Sequence, residues 1–258
     1  MISAETPVYP YLEEVNQSIL RTMAALAAGR PALRVLDVGC GFGALGREFR
    51  DRGMEVWGIE RDPKATALAA QRLDRVIPAD LADADGIAAE LGERRFDVVV
   101  FSDVLEHLVD PAGVVATFLP YLAPGGHVVI SVPNVANWVT RLGLLFGRFT
   151  YRDTGVLDRT HLRFFTRRST VEFARSCGLE VESVDQTPML VRAVLPLLKR
   201  RLVRGGAASG VDVQAIADSP GYRLYLRLVL PIERALVRLA PGLLSFQTVV
   251  SATPGTAP

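Results

Sequence analysis

Cysteine is almost missing from this chain. Cys40 and Cys177 are the two in 258 residues, which excludes a disulfide framework and fits a reducing compartment. Both read as small packing residues rather than reactive thiols. Net charge is nearly absent as well: 29 Lys and Arg face 28 Asp and Glu, a formal +1. That balance argues against a nucleic-acid binder, whose affinity rests on phosphate contacts. No uninterrupted apolar run reaches the ~20 residues a spanning helix needs, and no basic-then-apolar leader pattern opens the sequence. A cytoplasmic location is therefore expected. Histidine is scarce, with three positions, His107, His127 and His161, so imidazole chemistry has few addresses. Apolar residues, at 49%, are plentiful enough to bury one substantial α/β core.

Glycine is concentrated where it matters. Val35-Leu-Asp-Val-Gly-Cys-Gly-Phe-Gly43 runs an apolar strand into three alternating glycines, and a helical pattern follows through Gly46. Glycine permits a sharp turn and clears Cβ atoms from the path of a ligand, so a cofactor can lie against bare peptide at a helix N-terminus. The spacing Gly41-x-Gly43-x-x-Gly46, with Glu60 further on, also matches a dinucleotide fingerprint. A nicotinamide-dependent oxidoreductase is thus one reading of the loop.

Strand and helix patterns alternate along the chain: strands at 33–38, 55–60, 75–79, 96–102 and 126–132, and helices at 44–52, 63–73, 83–91 and 111–122. A helix over 11–28 precedes them; helix 167–177, strand 179–187 and a last strand from Ser245 to Ala252 follow. Val- and Ile-rich strands in this rhythm predict a buried, mainly parallel, doubly wound sheet. Ligands collect at the carboxyl ends of such strands. The expected organisation is an N-terminal helical cap (1–30), a core (31–188) with a lid at 136–166, a basic helical insertion (189–244), and a final strand and tail (245–258).

Four stretches resemble the class I S-adenosylmethionine (SAM)-dependent methyltransferases: the glycine unit with Asp37 ahead of it; Pro78-Ala-Asp80-Leu81; Phe96-Asp-Val-Val-Val-Phe-Ser102-Asp103-Val-Leu-Glu106-His107; and Leu122-Ala-Pro-Gly-Gly126 leading to Pro133-Asn134. They occur in the family's order over roughly residues 30–135. The resemblance implies a Rossmann-like sheet of seven strands whose last strand is antiparallel. It further implies that SAM is the cofactor, cradled by Gly39, Cys40, Gly41, Phe42 and Gly43, with Asp37 near the amino group. Glu60, with Arg61 beside it, then receives the ribose hydroxyls. Asp80 accepts from the adenine amine with Leu81 flanking the ring, although Asp80 also reads as a helix N-cap. Ser102, Asp103 and His107 border the methionine end.

Residues 136–166 lie where a substrate lid belongs, and resemble a segment of the ubiquinone and small-molecule O-methyltransferase group, of the kind linked to glycan and glycolipid synthesis. The insertion 189–244 carries nine Lys or Arg against three acids, a local +6. Its Leu190–Val203 and Tyr222–Leu239 pieces interleave arginine with apolar residues. A membrane-surface contact, a helical cap on the core and a homodimer face all remain open for it.

Methyl transfer from a sulfonium requires alignment rather than a metal or an acid, and no metal is expected. A hydroxyl acceptor needs a base near neutral pH. His161, with Asp158 as its orienting carboxylate, is one candidate, and His107 is another; either can equally be a hydrogen-bonded structural residue. His127, early in its strand, reads as structural. Ser102-Asp103-Val-Leu lacks the Asn/Asp-Pro-Pro-Tyr pattern of nucleobase amino methylation, which favours an oxygen acceptor in a sugar, lipid-linked glycan or related small molecule. A non-catalytic binding module on the same fold is the remaining alternative.

Overall fold

A computed structural model describes residues 15–30, 32–189 and 225–255. Seven strands form one sheet in the order β3-β2-β1-β4-β5-β7-β6. In chain order they are β1 (Arg34–Val38), β2 (Glu55–Glu60), β3 (Arg75–Pro78), β4 (Phe96–Ser102), β5 (Leu122–Pro133), β6 (Leu179–Pro188) and β7 (Ser245–Pro254). The first five are parallel neighbours. β7 inserts antiparallel between β5 and β6, the expected reversal of the last strand.

The helices between them are α1 (Gln17–Ala27), α2 (Ala44–Arg50), α3 (Pro63–Ala69), α4 (Ala84–Leu91), α5 (Pro111–Phe118), α6 (Trp138–Leu145) and α7 (Arg167–Ser176). Beyond β6 the described chain continues with α8 (Leu230–Leu239) and the short α9 (Pro241–Leu244). Helix starts follow local chemistry. Asp62, Asp83, Asp110 and Asn137 each accept a backbone N–H in the first turn, and Pro63 and Pro111 occupy positions whose N–H would be unpaired anyway.

Several limits differ from expectation. α3 stops at Ala69 instead of 73, and α5 passes into a 3-10 turn over Leu119–Tyr121. β5 begins at Leu122, because Leu122 already pairs with Phe96 before a register shift. The lid helix is shorter than 136–147. Of the helix expected over 11–28, residues 11–14 lie outside the described residues, as does the Leu190–Val203 piece of the basic insertion.

Apolar side chains cover both faces of the sheet. One layer gathers Leu36, Val38, Phe101, Phe118 and Ile130; the other gathers Ile19, Met23, Phe49, Val98 and Val129. Consecutive β4 residues Val98 to Phe101 are fully buried on alternating faces, which explains why this strand reads as a continuous apolar run. α1 closes the second layer with Ile19, Leu20 and Met23. Strand order reverses between β1 and β4, so the loops after these two strands diverge and open a cleft at their carboxyl ends.

Candidate functional site

The cleft is built from the ends of β1, β2, β3 and β4. After β1 the chain turns through Gly39, Gly41 and Gly43, with φ of 74°, 52° and 73°, a region where a side chain is strained. At Gly39 space is also closed: a Cβ would lie 2.7 Å from Cγ2 of Val104. Gly39 and Cys40 donate their N–H groups to Ile59 O at 2.9 and 3.0 Å, locking the loop to β2. Cys40 is buried with its thiol against Gly58, where a Cβ would come within 2.6 Å of the sulfur. Burial, followed by the charges of Asp37 and Glu60, pushes its thiol pKa far up, consistent with packing rather than reactivity. Phe42 is half-buried, and its carbonyl accepts from Arg72 Nη1 at 3.0 Å.

Asp37 supplies the site's clearest signal. It is 1% exposed, and its Oδ2 has no hydrogen-bond partner among the described residues. Burial first and the charge of Glu60 second push its pKa up to about 7. A buried carboxylate without a partner is costly, and a cationic group placed against Oδ2 would relieve that cost. Glu60 is also buried; its Oε2 accepts the Gly41 N–H at 3.0 Å and its Oε1 the Asp62 N–H at 2.8 Å. A carboxylate is acceptor-only, the character a ribose diol requires of its partner. These residues fit SAM: a carboxylate for an ammonium, a diol-accepting carboxylate, and a cradle without Cβ atoms.

Asp80 stands exposed after β3. Its Oδ1 accepts the Ala82 N–H at 3.0 Å, and its Oδ2 meets Arg61 Nη1 at 3.3 Å. The Ala82 bond first, with Arg61 adding to it, holds its carboxyl below the usual range against the opposing effect of burial. The N-cap alternative for Asp80 is corrected, since Asp83 caps α4. Leu81 lies half-buried against the core. Asp103 is the non-glycine residue with positive φ, 53°, among the described residues. It is held by Ser131 Oγ at 3.3 Å and Gln247 Nε2 at 2.6 Å. Asn16, the N-cap of α1, donates to both Ser131 Oγ and Gln247 Oε1. Ser102 is half-buried at the end of β4.

Sequence reasoning missed Gln247, Asn16 and Ser131, because strands and helices distant in sequence carry them. It also passed over Glu106, although the Leu-Glu-His triplet was in view.

His107 and His161 come together with ring centroids 4.7 Å apart. His161 is buried, and its Nδ1 lies 3.2 Å from the Val156 carbonyl. Burial lowers the pKa of both rings, that of His107 to about 4 with His161's charge adding to the effect. The expected role of Asp158 as orienter of the His161 ring is corrected. Its Oδ1 accepts from Thr160 N and Oγ1 at 2.8 and 2.7 Å, and the Val156 carbonyl orients the ring. Thr160 Oγ1 in turn lies 3.1 Å from His107 Nδ1, so hydrogen bonds link Asp158 through Thr160 to His107, and to His161 it contributes its charge. His127 is buried in the middle of β5, with Nε2 3.1 Å from Glu182. Beside His161 the segment 136–166 exposes a cluster of Phe149, Tyr151 and Phe164.

A doubly wound sheet with an antiparallel strand inserted before its last member, and a buried acid preceding a glycine cradle at the switch point, defines a class I methyl-transfer fold. Residues 11–184 match the family model described as a methyltransferase domain. The chain belongs to this family of SAM-dependent methyltransferases, which removes the nicotinamide reading of the loop. It is 33% identical over 180 residues to a ubiquinone biosynthesis O-methyltransferase of Thiobacillus denitrificans, covering 67% of this chain and 75% of that protein. It is 31% identical over 193 residues to the protein of that name in Ralstonia nicotianae, covering 71% and 79%. The match to the Alkalilimnicola ehrlichii protein of that name, at 36% identity, spans 48% of this chain and about half, 51%, of that relative. Among solved structures, a SAM-dependent methyltransferase from Archaeoglobus fulgidus shares the fold, with TM-score 0.56, 16% identity and 91% of each chain covered. A Geobacter sulfurreducens methyltransferase in complex with S-adenosylhomocysteine does so with TM-score 0.51, 20% identity, and 93% and 92% covered.

Proposed function

We propose that this chain methylates a hydroxyl oxygen of a sugar, lipid-linked glycan or related small molecule, with His161 as the base and His107 beside it. When bound, SAM supplies a methyl group on a sulfonium whose sulfur leaves as a neutral thioether, so no acid is needed to aid departure. Asp37 receives its ammonium, Gly39 to Gly43 line its path, Glu60 with Arg61 takes the ribose, Asp80 and Leu81 take adenine, and Ser102 and Asp103 flank the methionine end.

The observation that carries the acceptor reading is the histidine pair, 4.7 Å apart by ring centroids, one ring from the turn after β4 and the other from the segment 136–166. Burial keeps both imidazoles neutral at pH 7, the form able to accept a proton. The relatives' name, O-methyltransferase, supports oxygen as the methylated atom. It also favours a second reading, an acceptor in ubiquinone biosynthesis, which the exposed aromatic wall of Phe149, Tyr151 and Phe164 would suit. Transfer of labelled methyl from SAM into an extract of the source organism, followed by identification of the labelled molecule, decides between them. Label confined to amines or carbon would refute oxygen methylation.

Contact with a membrane surface belongs to the same proposal. Leu144, Leu145 and Phe146 on the lid are 52%, 77% and 69% exposed, with Arg141 and Arg148 exposed nearby. α8 buries Leu230, Glu233 and Val237 while exposing Ile232 and Leu239. Sedimentation with anionic liposomes, weakened by salt, is expected.

A further inference from the structure

Glu106 stands against the proposed base and has no role in the reading above. It sits in the 3-10 turn after β4 (Leu105–His107), is 1% exposed, and neither carboxyl oxygen has a hydrogen-bond partner among the described residues. Its main-chain carbonyl accepts the N–H groups of Leu162 and Arg163 at 2.8 and 3.0 Å, so the lid is tied to this turn beside His161.

Oε1 of Glu106 lies 3.9 Å from Nε2 of His161. The Val156 carbonyl can only accept, so the hydrogen of the neutral His161 ring is on Nδ1 and Nε2 holds the lone pair. At 3.9 Å the two groups are too far apart for a direct hydrogen bond, yet one oxygen at an ordinary separation of ~2.8 Å would touch both.

We propose that Glu106 and His161 form one proton-holding pair, in which Glu106 is a positioning residue that compensates the charge of His161 as the acceptor's hydroxyl proton arrives. The proposal rests on His161 being the base. As the acceptor's oxygen forms its bond to the methyl carbon, the O–H bond breaks and its proton passes to Nε2. The pair then goes from one negative charge to none, whereas a lone buried imidazole would go from neutral to positive in a medium that disfavours it.

Burial first, then Asp103 and Asp158, hold the Glu106 carboxyl well above the usual carboxylate range. The pair becomes competent only after that carboxyl loses its proton, at a pH belonging to the pair rather than to either residue. The groups facing it are Asp103 from the end of β4, Asp158 and His161 from the lid, and His107 from its own turn; Arg61 from the end of β2 acts on His107.

With three histidines in the chain, histidine-labelled NMR of the full protein saturated with S-adenosylhomocysteine tests this directly. In a pH titration the His161 ring signals should show a step from the Glu106 ionisation, above the usual carboxylate range, and Glu106→Gln should abolish it. S-adenosylhomocysteine affinity should stay within about twofold of the parent, a change of ~0.4 kcal/mol. Should Glu106→Gln fail to fold, Glu106→Asp should retain the step at a shifted pH. Labelled-methyl transfer into source-organism extract should fall ~100-fold in Glu106→Gln and in His161→Gln, and no further in the double variant.

His161 signals indifferent to both Glu106 variants, or losses that multiply in the double variant, would overturn the pair. Full activity in His161→Gln would instead remove the base reading itself. Glu106, His107 and His161 place donor atoms within 4.8 Å of one another, so activity lost to a chelator and restored by Zn2+ would assign the cluster to a cation and overturn the proposal.

Discussion

Replacing Asp37 by Asn should stabilise the unliganded protein at neutral and alkaline pH while weakening cofactor binding, two effects of opposite sign from one buried atom. The Asp37 carboxyl has a pKa of about 7 against an ordinary value of 3.8. A raised acid favours the folded state below its unfolded pKa, and that advantage is lost as pH climbs from about 4 through about 7. Roughly three pH units at 1.36 kcal/mol each set an upper limit of about 4 kcal/mol for the cost of holding the charged form buried. Asn carries no such charge. The unliganded variant should therefore match the parent near pH 4 and melt higher at pH 8, by up to about 8–16 °C at ~2–4 °C per kcal/mol for a chain of this size. In the same variant the ammonium of S-adenosylhomocysteine loses a charge-assisted partner worth roughly 2–3 kcal/mol, so the Kd should rise about 30- to 150-fold. Differential scanning calorimetry across pH, paired with titration calorimetry, reads both. An unliganded variant less stable than the parent at pH 8 that binds S-adenosylhomocysteine as tightly would refute this account.

Other perturbations probe separate links. Gly39→Ala combines positive φ with a Cβ 2.7 Å from Val104; a loss of ~1–3 kcal/mol in denaturant melts is expected, and an unchanged midpoint would contradict the close approach. Gln247→Leu removes the donor to Asp103 Oδ2 and should weaken S-adenosylhomocysteine binding by about tenfold, near 1.4 kcal/mol, without altering the lid's proteolysis pattern. Asn134→Ala unties the lid from the C-terminal strand. Asn134 Nδ2 lies within hydrogen-bond reach of Gly242 O, Ser245 O and Ser245 Oγ, and its loss should cost ~2–4 kcal/mol and speed cleavage within 136–166.

How far the site could be read from the chain depended on how local each residue's reason is. Asp37, Gly39, Gly41, Gly43 and Glu60 were legible because strand, turn and strand end follow within one β-α-β unit, and parallel pairing of β1 with β2 through Val38 and Ile59 aligns their ends. Asp80 was ambiguous because one residue type serves turns, caps and ligands; the observed cap at Asp83 separates the uses. The orienting role given to Asp158 failed because closeness in sequence does not settle which atom a ring nitrogen faces. Val156, two residues before it, supplies a main-chain carbonyl that no residue pattern advertises.

By itself the sequence determined a mainly parallel sheet of strands alternating with helices, since apolar periodicity acts over a few residues and needs no distant partner. The methyl donor followed from the resemblance of the glycine unit and three later stretches to the methyltransferase family, because glycine spacing alone fitted a nicotinamide cofactor equally well. Tertiary structure alone decided what surrounds those residues. Folding β7 back between β5 and β6 brings Gln247 to Asp103, and the return of residues 161–163 to the turn after β4 sets His161 beside Glu106. The physical reason is burial. Removing Asp37 and Glu106 from water makes their carboxyls costly and chemically distinctive, and burial belongs to the packed chain as a whole rather than to any stretch of it.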